Sequence, residues 1–334
     1  VGRQTISVIG AGVAGLACAV ELNARGLAVE VLERTAWLGE GACSWKAGGM
    51  LAPWCEAATT DKAVVRLGAP SIDWWRSHFP GTASAGSLVV APPRDTVDLK
   101  RFADRTERFE VVDGERLTVL EPDLAGRFHR ALFFPGEAHL DPRKALTALA
   151  ETLTARGVQL RFGVEVDAAR VPGDLVVDCR GFAARDSLAD LRGVRGEMLV
   201  VRTNDVSLSR PVRLLHPRIP LYVVPRGDGL FMIGATMIES EQRRAVSVRS
   251  AVELLSAAYA LHPAFGEAEI IEMGADLRPS FATNLPQVRR VGRVLHANGL
   301  YRHGFLLSPW LAQQVADAIL AETKDEDLPE RRRS

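Results

Sequence analysis

No surplus of charge of either sign marks this sequence: its 41 lysines and arginines equal its 41 aspartates and glutamates. Nucleic acid and anionic membrane surfaces attract a basic surplus or a basic patch, so neither is an expected partner. Cysteine is scarce. Cys18, Cys43, Cys55 and Cys179 are scattered, with no Cys-x-x-Cys and no histidine at ligand spacing, and no metal is expected. Cys18 falls on an expected helix and Cys179 ends an expected strand, where buried inert thiols are the ordinary reading. Long apolar runs are also missing, the longest being strand- or core-helix-sized, so no membrane-spanning helix is expected. The first strand starts too early to leave room for a signal peptide, which makes the expected location cytoplasmic. Histidines such as His129, His139 and His262 stand apart from one another, and surface or core roles are their default. Internal repeats and low-complexity segments are absent as well.

What remains is a chain of 334 residues, 47% hydrophobic and 25% charged, long enough for two globular domains. Its most informative stretch comes first. An apolar strand, Ile6 to Ile9, runs into Gly10-Ala11-Gly12-Val13-Ala14-Gly15, and an amphipathic helix over 13–25 follows. Gly26 ends that helix, a second strand covers 28–33, and Glu33 closes it. This order and spacing predict a dinucleotide clamp. Gly10 permits the tight turn, Gly12 lets backbone approach a pyrophosphate, Gly15 allows helix and strand to pack closely, and the helix N-terminus offers N–H groups to negative charge. Glu33 is expected to take ribose hydroxyls, and its carboxylate repels a 2′-phosphate, so FAD or NAD is favoured over NADP.

Further along, 61–79 reads as one amphipathic helix carrying Val64, Val65, Leu67, Ile72 and Trp75. Residues 81–137 change style, with more Gly, Pro and charge and short strands such as 87–91. Asp141-Pro142 starts a helix that Gly157 stops, and strands follow near 159–162 and 175–179. From Met198 to Leu277 apolar and polar residues alternate, and Arg226-Gly227-Asp228-Gly229 reads as a hairpin turn between strands 221–225 and 230–234. A final helix is expected over about 309–322, and the charged tail from Lys324 to Ser334 is expected to fray. The predicted organisation is α/β: a discontinuous Rossmann-like dinucleotide domain (1–80, 138–196 and 279–334) interleaved with an antiparallel-sheet substrate domain (81–137 and 197–278).

Two later stretches favour flavin over nicotinamide. Ser44 to Pro53 contains Gly48-Gly49, where backbone without Cβ atoms could lie against a flat ring. Gly299 to Pro309 leads into the last helix, whose positive end could stabilise a reduced, anionic ring. Six segments together resemble the glycine oxidases of thiamine biosynthesis, in the D-amino-acid oxidase superfamily. They are the N-terminal clamp, Ala47 to Pro53, Leu221 to Arg226, Gly234 to Met237, Gly274 to Pro279 and Tyr301 to Pro309, in order along the whole chain.

The resemblance implies non-covalent FAD and a set of residues around it. Gly10, Gly12, Val13, Ala14, Gly15, Glu33 and Arg34 belong to the clamp, and Ser44, Ala47, Gly48, Gly49, Met50 and Leu51 to the glycine-pair segment. Val166, Cys179, Gly181, Arg278, Arg302, His303, Gly304, Phe305, Leu306 and Leu307 complete the implied FAD contacts. For substrate, it implies that Arg278 binds the amino acid's carboxylate, that Tyr222 bonds the same group, that Met237 lines the pocket and that Arg302 lies near flavin and substrate. A guanidinium suits the first task because two parallel N–H donors fix orientation as well as charge. The implied reaction is hydride transfer from a neutral-amine substrate to flavin N5, so His303 is not needed as a base. Products are the imine, or glyoxylate and ammonia after hydrolysis, with molecular oxygen reduced to hydrogen peroxide. Two alternatives stay open: a dehydrogenase of larger D-amino acids with another electron acceptor, and a non-catalytic FAD-binding subunit. Homo-oligomers are common in the family.

Overall fold

The computed structural model describes residues 5–92, 95–171, 175–215 and 221–326. The chain divides into two compact units, one of residues 1–42, 146–192 and 279–334, the other of residues 43–145 and 193–278. The expected boundaries differ from these at 43–80, 138–145 and 193–196, which group with the second unit. Pairing explains the difference. Strand Met50–Leu51 pairs with Ala138–His139, Arg213 forms an ion pair with Glu56, and Arg195 bridges to Ile238.

The first unit holds a six-stranded sheet in the order Gln287–Val291, Val294–Asn298, Leu175–Asp178, Thr5–Ile9, Ala28–Glu33 and Gln159–Phe162. All neighbours run parallel except the first two, an antiparallel hairpin. Its central strands are apolar because helices cover them; Val8 and Val177 are fully buried. Helix Val13–Ala24 packs along the last helix, which spans Gly304–Glu326 and so begins earlier than expected. Pro309 does not start that helix but sits inside its second turn. A proline there forfeits one backbone hydrogen bond, a loss confined to the helix's first turns. Of the tail expected to fray, 324–326 still belong to the helix and 327–334 lie outside the described residues.

The second unit is built on an eight-stranded sheet ordered Glu269–Ser280, Arg192–Arg202, Leu230–Gly234, Leu221–Gly227, Val212–Leu214, Ser87–Val90, Arg130–Phe134 and Glu110–Asp113. Val212–Leu214 runs parallel to Ser87–Val90, a departure from the expected antiparallel pattern. These two strands come from distant stretches of sequence, so no hairpin dictates their direction. The hairpin at 226–229 forms, with Asp228 and Gly229 both at positive φ (52° and 68°), as a tight two-residue turn requires. The single helix expected over 61–79 is two, Lys62–Gly68 and Ser71–His78, because Pro70 cannot donate to the preceding turn.

Alternation divides this sheet into two faces. Leu199, Val201, Leu221, Val223, Phe231 and Ile233 enter the main core, covered by Leu254, Ala257, Ala258 and Leu261 of helix Val248–Leu261. Met198, Val200, Val224 and Met232 point to the opposite face, with Met50, Tyr222 and Leu230 packed beside them.

Just before strand Ala138–His139 lies Glu137, fully buried. Its carboxylate accepts the Cys55 N–H at 2.7 Å and the Ser87 hydroxyl, in the field of Arg213 and Glu56. Burial pushes its pKa up to about 8, and burial pulls His139 down to about 4. Between about 4.5 and 8 the folded Glu137 keeps a proton that the unfolded chain releases, so stability falls as pH rises. His139 acts oppositely between about 4 and 6.5, where the unfolded chain binds the extra proton. The two slopes offset each other below pH 6.5, leaving a decline of about 1.4 kcal/mol per pH unit from about 6.5 to about 8. Glu137→Gln is expected to abolish that decline and to uncover the acid-side loss from His139. Denaturant unfolding at pH 5, 6.5 and 8 checks this; parallel profiles for the two proteins would show that Glu137 ionises normally.

Among the described residues no helix is long and apolar enough to cross a membrane, and no cluster of three His, Cys, Asp or Glu side chains could hold a metal.

Candidate functional site

Gly10 ends the first strand with φ +100°, and a Cβ on it would lie 2.8 Å from the Cys179 carbonyl oxygen. A Cβ on Gly15 would lie 1.8 Å from the Gly10 carbonyl oxygen, so strand end and helix start are in backbone contact. Helix Val13–Ala24 opens at Gly12 with no side-chain cap. Beside it, Gly304 opens the last helix, where an added Cβ would meet Val13 Cγ1 at 3.5 Å. Two positive helix ends therefore converge within the first unit, at Gly10, Gly12, Val13, Ala14 and Gly15, a setting that favours an anion.

At the tip of the neighbouring strand, Glu33 accepts the Ala11 N–H at 2.7 Å and the Thr35 N–H and hydroxyl at 3.0 Å. Arg34 next to it is exposed, and Val166 packs against the cluster of Ile9, Leu32 and Val176. Cys179 is buried with its Sγ 3.9 Å from that of Cys18; the hydrogen bond to Cys18 and then burial hold its thiol well above the ordinary range. Gly181, at φ +59°, follows, and its carbonyl accepts from Asn298 Nδ2 at 2.8 Å. At the start of the last helix His303, Phe305, Leu306 and Leu307 are buried, while half-buried Arg302 places its Nε 3.4 Å from His303 Nε2.

In the second unit two of the predicted substrate residues, Tyr222 and Arg278, lie on the methionine face of the large sheet. Tyr222 lies opposite Gly234, and Gly234 opposite Met198. Directly opposed residues share a face. The Tyr222 ring covers Gly48, where a Cβ would come within 3.0 Å of it, while a Cβ on Gly49 would strike the Leu140 carbonyl oxygen at 2.1 Å. The space that both glycines leave is thus filled by protein, and internal packing explains the pair without an appeal to a flat ring. Ser44 is buried just before this turn, Leu51 just after it, and Met50 joins the methionine cluster. Met237 is half-exposed.

Arg278 stands on the neighbouring strand, and its guanidinium lies over Gly196. Nη1 donates to the Thr236 carbonyl at 2.9 Å, and among the described residues no carboxylate pairs with it. The half-buried thiol of Cys43, in the field of Asp276, Arg278, Lys46 and Arg243, is pushed up to about 12, chiefly by burial, and stays protonated at neutral pH.

Residue patterns missed how the segment before Gly48 is held. Arg143 Nε donates to the Trp45 carbonyl at 3.2 Å, Lys46 Nζ donates to the Ala275 carbonyl at 3.1 Å and pairs with Asp276 at 3.0 Å, and Arg226 Nη2 donates to the Ala47 carbonyl at 2.7 Å. Three consecutive residues are thereby tied down by three cations. Lys46 and Arg226 stood inside the quoted segments, yet no spacing rule pairs residues about 180 positions apart.

A glycine-turn clamp on a parallel sheet, interleaved in sequence with a large mixed sheet, defines a dinucleotide-binding α/β protein. Residues 5–318 match the family model described as FAD dependent oxidoreductase, abbreviated DAO. The chain belongs to that family and is an FAD-dependent enzyme, which removes the NAD alternative and bears out the expected fold class. It is 54% identical over 330 residues to a Rhizobium etli protein named as a thiamine biosynthesis oxidoreductase, ThiO, covering 98% of this chain and 99% of the relative. A glycine oxidase of Pseudomonas aeruginosa is 26% identical, with 95% of this chain and 94% of the relative covered. Among solved structures, the glycine oxidase of Geobacillus kaustophilus superposes with a TM-score of 0.79 at 25% identity, over 95% of each chain.

Proposed function

We propose that this enzyme oxidises glycine or another small amine-bearing acid, sarcosine and D-alanine included, and serves thiamine biosynthesis. For glycine the balance is one glycine, one oxygen and one water giving glyoxylate, ammonia and hydrogen peroxide; where the imine itself is consumed, the water is not added. The names of the relatives in Rhizobium etli, Pseudomonas aeruginosa and Geobacillus kaustophilus support this reading. The observation that carries it is Arg278, a cation seated on bare backbone at Gly196 with no carboxylate partner among the described residues.

The residues present fit FAD: added side chains at Gly10 and Gly15 would strike the Cys179 and Gly10 carbonyl oxygens, so these glycines keep strand end and helix start in contact, and Gly12, Val13 and Ala14 open the helix at converging positive ends with the Glu33 carboxylate alongside. When bound, FAD would supply the acceptor for the hydride leaving the substrate's Cα, which carries both electrons of the oxidation. Arg34, Val166, Cys179, Gly181 and the 302–307 segment are the further residues we assign to holding it. No cysteine follows Cys179, so attachment through sulfur in that half of the chain is ruled out, and binding is read as non-covalent.

Arg278 holds the substrate carboxylate with two parallel N–H donors, and Tyr222 adds one hydroxyl. Fixing the carboxylate aims one Cα–H and leaves one side of Cα open, which rejects L-amino acids. Met50 and Met237 limit what extends from Cα. Methionine yields to pressure, so each added methylene is disfavoured by only about 1–3 kcal/mol. The substrate reacts with a neutral amine, and no side chain acts as an acid or base.

Anaerobic titration of the holoenzyme with an amino-acid panel, read as loss of oxidised-flavin absorbance, tests the proposal. Glycine and sarcosine are expected to reduce it fastest, D-alanine more slowly and L-amino acids not at all. Faster reduction by D-phenylalanine or D-arginine would instead indicate a broad D-amino-acid dehydrogenase, and no reduction by any amino acid a non-catalytic flavoprotein.

A further inference from the structure

Arg278 owes its position to two backbone features. The Thr236 carbonyl accepts from Nη1 at 2.9 Å. Below the guanidinium is Gly196, where an added Cβ would come within 2.2 Å of Nη2, 2.3 Å of Cζ and 2.6 Å of Nη1. Three of the guanidinium's four heavy atoms therefore occupy space that any other residue at position 196 would fill with its own side chain.

Both features are themselves held. Thr236 is buried, its N–H donates to the Glu197 carbonyl at 3.1 Å, and its hydroxyl accepts the Glu197 N–H at 2.9 Å. Arg195 and Ile238 exchange a pair of backbone bonds, each 2.9 Å. Beneath them the fully buried Glu197 carboxylate accepts from Arg195 Nη2 and from the Ser247 N–H at 3.3 Å, while Arg195 Nη2 also donates to the Ala245 carbonyl at 2.6 Å. Strand Arg192–Arg202 is therefore pinned on both sides of Gly196 and cannot retreat from a new methyl group. The part that can move is the end of the Arg278 side chain, which is long and flexible.

We propose that Gly196 is a positioning residue for the amino-acid substrate, its missing side chain being the seat that sets where the Arg278 guanidinium lies. This rests on the reading of Arg278 as the carboxylate anchor. Gly196 does not have a positive φ, so alanine is conformationally acceptable there, and its methyl group displaces the guanidinium, leaving the strand in place.

Gly196→Ala in the holoenzyme tests this, with FAD content, melting temperature, KM and kcat for glycine, and inhibition by acetate as readouts. Expected are FAD content and melting temperature close to the parent, with KM for glycine and the inhibition constant for acetate both raised about tenfold, as for a misplaced binding group. In an Arg278→Ala background the same change is expected to have no further effect, because nothing is left to displace. An unchanged KM in Gly196→Ala overturns the proposal, as does a variant that fails to fold or loses FAD, since that would mean the strand yields before the side chain. An additive effect on top of Arg278→Ala overturns it too. If Arg278→Ala itself leaves KM and acetate inhibition unchanged, it is the reading of Arg278 as anchor that fails.

Discussion

Replacing Arg278 with alanine is expected to raise the KM for glycine about ten- to a hundredfold, since a charge-assisted, two-pronged contact to a carboxylate is worth about 1.5–3 kcal/mol. The folded protein should survive the change well. Arg278 is only half-buried, forms no ion pair among the described residues, and gives up one hydrogen bond, to the Thr236 carbonyl. Melting temperature is therefore expected to stay near that of the parent while substrate affinity drops. Tyr222→Phe should have a smaller effect on KM, because it removes one neutral hydroxyl and keeps the ring that covers Gly48. A parental KM in Arg278→Ala would take Arg278 out of the substrate site.

Gly15→Ala is expected to do the reverse, damaging cofactor retention and fold together. Its Cβ would fall 1.8 Å from the Gly10 carbonyl oxygen and 3.0 Å from the carbonyl carbon, both backbone atoms of the turn that closes the clamp. No flexible side-chain end is there to swing away. Overpacking of this kind costs about 1–3 kcal/mol even when the surroundings partly adjust, which for a chain of this size corresponds to a fall of several degrees in melting temperature. The adjustment would also separate Gly10 from Gly15, and with them the strand end and the helix N-terminus that form the anion cradle. Purified Gly15→Ala is expected to carry little FAD and to melt earlier than the parent even when FAD is added in excess. Full FAD occupancy with an unshifted melting curve would show that the turn opens without cost. Read together, the two variants separate the chemistry of the substrate side from the architecture of the cofactor side.

The clamp was legible in residue order because everything it needs is local. A strand, three glycines, a helix and an acid lie between Thr5 and Glu33, and turn geometry ties each glycine to a backbone requirement that no other residue meets as well. The hairpin at 226–229 was legible for the same reason, with the positive φ of Asp228 and Gly229 written into the residue types. The single helix expected over 61–79 failed although its apolar spacing was sound, because Pro70 outweighed periodicity. The last helix shows the opposite outcome: Pro309 looked like its first residue, and packing along helix Val13–Ala24 carries the helix back to Gly304.

By itself, then, the sequence determined the glycine-turn clamp and the α/β class of the fold, since these depend on short-range patterns of glycine, charge and apolar spacing. Tertiary structure alone decided which segments join which unit, why Gly48 and Gly49 lack side chains, and how Arg278 is held. Each of those depends on atoms that meet only after folding. Gly196 and Arg278 are 82 positions apart, and no propensity or period links them. Close packing does, because two groups cannot share one volume and the one with freedom to move takes its position from the one that has none.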